Sequence, residues 1–180
     1  MTLMSDKIRA EDLWRVSSTG IDLISLGRLS KVLKRSPNLL RALCQESERS
    51  DRCHHEGAGL IWASMLWTCK EAAVKCIGTG FWRQGVEWRD LCIHAPFPVE
   101  SPERVLEVRS VKVTLSGVAA DLCSTVHIEG TFELIDPPSY GRSDQRNDSP
   151  PHLRSMNEYI ALARMELYRP LTVPSSRVDQ

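Results

Sequence analysis

From Leu60 to Ile77 the chain reads LIWASMLWTCKEAAVKCI, and no other stretch constrains the fold as strongly. The run is apolar on most sides and its few charges gather near its end. That pattern predicts a helix buried over most of its surface. Gly78-Thr79-Gly80 stops it, because glycine readily adopts the left-handed backbone that follows a last helical turn. No apolar run in the chain approaches the ~18 residues of a transmembrane helix, so no membrane span is expected.

The other elements are read around this helix. Trp14 to Ile24 predicts a strand that runs into a helix start. Leu26, Leu29, Val32 and Leu33 then recur at helical spacing, with Arg28, Lys31, Lys34 and Arg35 between them as a basic face. Ser36-Pro37 signals a second helix, with serine as cap and proline first inside; Leu39, Leu40 and Leu43 share one of its faces. Glu46 to Gly59 reads as a polar loop and Phe81 to Asp90 as an aromatic one. Leu91 to Ile93 predicts a short strand, and Pro96, Pro98 and Pro102 an irregular crossing. Leu106 to Leu115 alternates as a strand pair or a bulged strand, and Gly117 to Ser124 predicts a short helix. His127 to Ile135 alternates again, with Ile128, Phe132 and Leu134 inward and Glu129 and Glu133 outward. Asp136 to Pro151 is DPPSYGRSDQRNDSPP, which buries too little apolar surface to offset its ordering entropy and reads as a disordered linker. His152 to Tyr168 predicts a last amphipathic helix through Leu153, Met156, Ile160, Ala163 and Leu167, ended by Pro170. The expected organisation is a domain over residues 13–136, a linker over 137–151, and a C-terminal helix and tail over 152–180.

Composition narrows the function classes. With 180 residues there is room for one ordinary domain. Lys+Arg and Asp+Glu are both 23, which argues against a protein that coats nucleic acid, since that task needs excess cations. Met1 to Asp12 has no apolar stretch of signal-peptide length, so a cytoplasmic location is expected. The six cysteines form no C-x-x-C pair and read as free thiols in a reducing compartment. Cys53-His54-His55 has no second ligand pair at metal-binding spacing.

Two features carry chemistry. Glu71 and Lys75 lie four apart and share a helix face, as an ordinary surface ion pair also would. Asp22 sits among apolar neighbours at a strand end, where a helix N-cap is an equal reading. One carboxylate from a strand end and one from a helix suit Mg²⁺, which takes few protein oxygens, and a nearby lysine suits phosphate.

Three blocks in order resemble the 4′-phosphopantetheinyl transferases, and most closely the holo-acyl-carrier-protein synthases. They are GIDLISLGRL (Gly20 to Leu29), WTCKEAAVK (Trp67 to Lys75) and GTGFWRQGVEWRDLCI (Gly78 to Ile93). SPNLLRALCQESE between the first two resembles the family's helix leading to an acidic turn. The resemblance implies an α+β fold, a small antiparallel sheet packed on a long central helix. It implies transfer of 4′-phosphopantetheine from coenzyme A to a serine of an acyl or peptidyl carrier protein, with Mg²⁺. By this resemblance Asp22 and Glu71 bind the metal, and Glu71 and Lys75 are catalytic. Lys70, Lys75, Gly78 and Gly80 contact the cofactor, and Arg28 and Lys31 belong to the patch that docks the carrier. Synthases of this type place the site between subunits, commonly in trimers, so a homo-oligomer is expected.

The chain also departs from the family. The usual Ser-x-Ser-His strand is absent: Val113-Thr114-Leu115-Ser116-Gly117 resembles it with Gly117 in place of histidine, and Ser124 to His127 supplies a histidine without the second serine. This departure supports a second reading, a catalytically impaired relative that binds carrier protein or coenzyme A.

Overall fold

The computed structural model describes residues 14–48, 56–95, 108–123, 125–135 and 159–170. Strand β1 (Trp14–Ser25) runs directly into helix α1 (Leu26–Arg35), where Ser25 caps the helix by accepting a hydrogen bond from the Arg28 amide. Helix α2 (Asn38–Leu43) follows Pro37, which takes helical dihedrals without a side-chain cap. A 3₁₀ turn at Glu46–Glu48 leads toward helix α3 (Glu56–Ile77). The helix therefore starts inside the stretch expected to be loop, and residues 49–55, with Cys53-His54-His55, lie outside the described residues. Two further 3₁₀ turns, Arg83–Gly85 and Trp88–Asp90, precede β2 (Leu91–His94). Then come β3 (Arg109–Leu115), α4 (Gly117–Leu122), β4 (His127–Ile135) and β5 (Ile160–Pro170).

The expected α+β architecture is the one observed. The five strands form one antiparallel sheet in the order β1-β5-β4-β3-β2. Helix α3 covers one face of that sheet. Ala63, Leu66, Cys69, Ala72, Ala73 and Cys76 of the helix are buried, as are Ala161, Ala163, Met165 and Leu167 of β5 and Ile128, Phe132 and Leu134 of β4. The last three are the residues expected inward.

One expectation fails. The helix read over 152–168 is instead β5 from Ile160 onward, and it occupies the sheet interior between β1 and β4. Ala161, Ala163, Met165 and Leu167 obey the two-residue period of a strand, and all four are buried. The sheet thus extends beyond residue 136; the linker read over 137–151 lies outside the described residues.

Gly20 sets how closely strand and helix meet. A Cβ at this position would collide with the Ala72 carbonyl oxygen and lie 2.9 Å from the Cys76 amide nitrogen, both backbone atoms of α3. Ser18 Oγ donates to the Cys76 carbonyl, and Cys76 Sγ donates to Met165 O at 3.0 Å. Backbone of β1 and backbone of α3 therefore pack with no side chain between them. Gly20→Ala is expected to lower stability by roughly 1–3 kcal/mol through overpacking, read as a lower denaturation midpoint at unchanged m-value.

Candidate functional site

Asp22 lies two residues beyond Gly20 and so on the same, helix-covered face of β1. Lys75 reaches across from α3. Its Nζ donates to Asp22 Oδ1 and to the Ile21 carbonyl oxygen, each at 2.8 Å. Glu71 stands one turn earlier on the helix. Burial holds its carboxyl above the usual glutamate range, the Asp22 charge adds to the rise, and Lys75 opposes it. The chain thus brings together Asp22, Glu71 and Lys75.

Two carboxylates that repel one another, with a single ammonium between strand and helix, form a donor set that a divalent cation would relieve. Among the described residues no cluster of three or more His, Cys, Asp and Glu is arranged to hold a metal. A set of two carboxylates leaves most of a bound cation's shell to substrate oxygens and water.

Lys70 does not join this group, which corrects the expectation that it contacts a cofactor. Its side chain is fully buried. Its Nζ donates to Glu48 Oε2 at 2.7 Å, to Leu43 O at 2.7 Å and to Trp88 O at 3.0 Å, so all three hydrogens are used. Glu48 accepts in addition from the Gln45 amide at 2.7 Å and the Ile93 amide at 2.6 Å. Burial lowers the Lys70 pKa, and the Glu48 charge works against that lowering. In the sequence Glu48 stands only as part of an acidic turn; nothing in its polar surroundings signals a buried carboxylate.

Gly78, at φ +85°, ends α3 as expected, and Gly80 is half-buried just beyond. The chain then folds back as an aromatic loop. Trp67 of α3 packs on Trp88 with ring centroids 5.2 Å apart, and Phe81 and Trp82 pack on Trp88 at 5.6 and 6.1 Å.

Ser116 and Gly117 lie elsewhere. They follow β3, and Ser116 lines a cleft with Cys44, Gln45, Glu46 and Arg89. Three strand spacings, about 14 Å, separate β3 from β1 and its Asp22. Gly117 sits in left-handed backbone at φ +51°, and a Cβ there would also require the Asp90 side chain to move, so this turn disfavours a histidine. His127 sits on β4 with its Nε2 2.9 Å from Glu129 Oε2. Arg28, Lys31, Lys34 and Arg35 are exposed on α1, and Ser25 is the cap that directs this helix away from the strand.

With fold and geometry in place, comparison with known proteins gives the class. Residues 18–117 match the 4′-phosphopantetheinyl transferase superfamily, and the chain belongs to it. Within that class it resembles holo-acyl-carrier-protein synthases. It is 36% identical over 127 residues to the holo-[acyl-carrier-protein] synthase of Verminephrobacter eiseniae (strain EF01-2), covering 67% of this chain and 93% of that one. Among solved structures, an acyl carrier protein synthase of Plasmodium yoelii with ADP bound aligns at a TM-score of 0.56 and 16% identity, over 87% of this chain and 98% of that one. The holo-[acyl-carrier-protein] synthase of Neisseria meningitidis aligns at 0.52 and 14%, over 84% and 98%. These two share the fold.

Two substitutions on neighbouring residues separate the two kinds of charge on α3. Lys70→Met strands the buried Glu48 carboxylate and is expected to cost roughly 3–5 kcal/mol in chemical denaturation. Glu71→Gln should behave in the opposite sense. Because the fold raises the Glu71 pKa, its interactions favour the protonated form, and that contribution is lost as pH rises through the raised value. At pH 7 the glutamine variant is therefore expected to melt at or above the wild-type temperature. The gap should close as pH falls below the ordinary glutamate range; a lower melting temperature at pH 7 contradicts the assignment.

Proposed function

We propose that this transferase moves the 4′-phosphopantetheine group of coenzyme A onto a serine of an acyl carrier protein, with Mg²⁺. The observation that carries the reading is the meeting of Asp22, Glu71 and Lys75 where β1 crosses α3. Asp22 and Glu71 would hold the Mg²⁺ ion. When bound, such an ion neutralises pyrophosphate charge and stabilises the leaving oxygen. Lys75 is exposed enough to turn from Asp22 to a phosphate oxygen, bringing one positive charge to the reacting end. The serine oxygen attacks the β-phosphorus of coenzyme A, and a new O–P bond forms as the bond to the 3′,5′-ADP oxygen breaks. The serine proton passes to a carboxylate. Glu71, half-buried beside Asp22 and Lys75, is the acceptor these residues offer.

The remaining parts fit the same reading. The exposed cations of α1 suit an acidic carrier, where surface charge speeds encounter and selects partners. The Ser116 cleft follows β3, three strands away from β1 and its Asp22, a separation that a site shared between two copies of the chain would bridge; this supports a homo-oligomer. The open sheet face offers Ile21 and Leu23 for that contact, 53% and 63% exposed. None of the described helices is long and apolar enough to cross a membrane. Cys44, Cys69, Cys76, Cys92 and Cys123 make no disulfides, which agrees with work in a reducing cytoplasm.

The absence of a Ser-x-Ser-His strand, with Gly117 in left-handed backbone at φ +51° where the pattern has histidine, favours the second reading, an impaired relative that binds without transferring. One experiment separates the two. Apo acyl carrier protein is incubated with this protein, coenzyme A and Mg²⁺, and its intact mass is measured with and without EDTA. Transfer predicts a gain of one phosphopantetheine group that EDTA abolishes. Coenzyme A binding with no mass gain on any carrier establishes the impaired relative instead.

A further inference from the structure

Trp82 is left unexplained by the reaction above. It is 67% exposed, more than any other large apolar residue described. Its backbone is also unusual: φ is +66°, a left-handed conformation uncommon for a bulky aromatic residue. Gln84 and Gly85 follow at +59° and +81°, and the turn is closed by a 2.9 Å hydrogen bond from the Trp82 amide to Val86 O. The chain thus adopts strained backbone and presents an indole to water. Such strain persists only where the surroundings fix it, and it gathers at ligand-handling segments.

The surroundings do fix it. Trp82 packs on Trp88, which packs on Trp67 and Phe81, and the Trp88 carbonyl is held by the buried Lys70 ammonium. Trp67, Glu71 and Lys75 succeed one another at four-residue intervals along one side of α3. The aromatic wall therefore begins one turn from the carboxylates, and Trp82 is its exposed end.

We propose that Trp82 is the stacking platform for the adenine ring of coenzyme A; the proposal rests on the transferase reading above. Adenine is the one aromatic ring system in that substrate, whereas the pantetheine arm is aliphatic and recognised by hydrogen bonds. In that reading its pyrophosphate is directed to Lys75 and to the cation that Asp22 and Glu71 would hold, which leaves the base to seek a flat apolar surface beside them. A solvent-facing indole at the end of a rigid ring cluster supplies one, and base–aromatic stacking is a substantial part of nucleotide affinity. The platform would bind substrate coenzyme A and leaving 3′,5′-ADP through the same contact.

The test measures equilibrium binding of coenzyme A, 3′,5′-ADP and 4′-phosphopantetheine to wild type, Trp82→Ala, Trp82→Leu and Trp82→Phe. Trp82→Ala and Trp82→Leu are expected to weaken coenzyme A and 3′,5′-ADP alike, by roughly tenfold. They should leave 4′-phosphopantetheine, which has no adenine, unchanged. Trp82→Phe should restore most of the affinity. In turnover, KM for coenzyme A rises while kcat at saturation is kept. Equal weakening of all three ligands overturns the proposal, as does unchanged binding, or a defect confined to KM for the carrier protein, which makes Trp82 a carrier contact. A wild type that binds no coenzyme A overturns the transferase reading, and this proposal with it.

Discussion

The site exists because β1 and α3 touch backbone to backbone. Gly20 has no side chain to hold them apart, and Ala72 and Ala73 on the helix are the smallest residues that still favour helix. From that contact the rest follows by spacing. Two residues beyond Gly20, strand geometry turns Asp22 to the helix side; three residues beyond Ala72, helix geometry brings Lys75 to meet it. Lys75 then also takes the Ile21 carbonyl, so the strand edge is tied to the helix by the residue proposed to meet phosphate. Close packing and chemistry are here one arrangement.

Helix α3 also divides two uses of charge. Lys70 and Lys75 are five residues apart, about 140° around the helix axis. One lies in the interior and is neutralised by Glu48 within a network that joins α2, two 3₁₀ turns and β2. The other lies at the surface beside a second acid. An ammonium sealed in the interior is costly unless it is paired and fully hydrogen-bonded, and Lys70 is both. Its partners include the carbonyl of Trp88, so the network steadies the aromatic loop as well as the core.

How far the sequence reveals this differs from element to element. The run from Leu60 to Ile77 announces α3 because an apolar stretch ending in Gly78 has few other solutions. Ile128, Phe132 and Leu134 announce β4 through strict alternation. The last strand was hidden because Ile160, Ala163 and Leu167 satisfy helical spacing while Ala161, Ala163, Met165 and Leu167 satisfy a period of two. Only the presence of β1 and β4, each with an open edge, decides between them, and that is a long-range fact. The place of Lys70 is hidden for a related reason: it adjoins Glu71 in sequence, but adjacent helical residues point about 100° apart. Asp22, Glu71 and Lys75 were legible as residue types at family spacing, whereas their meeting depends on Gly20, whose role appears only when the helix is placed against it.

The position of β5 bears on how the chain comes to be folded during synthesis. Strand β1 leaves the ribosome well before its neighbour in the sheet, β5, which follows some 135 residues later. At ordinary elongation rates that interval is roughly 7–27 seconds. Through it the nascent strand has Ile21 and Leu23 on one side and an unpaired hydrogen-bonding edge on the other. The sheet cannot close until β5 slides between β1 and β4, so folding is set by an event of high sequence separation. A ribosome that stalls short of residue 160 therefore releases a chain that already carries Asp22, Glu71 and Lys75 but lacks the strand to which β1, and Asp22 on it, would be bound.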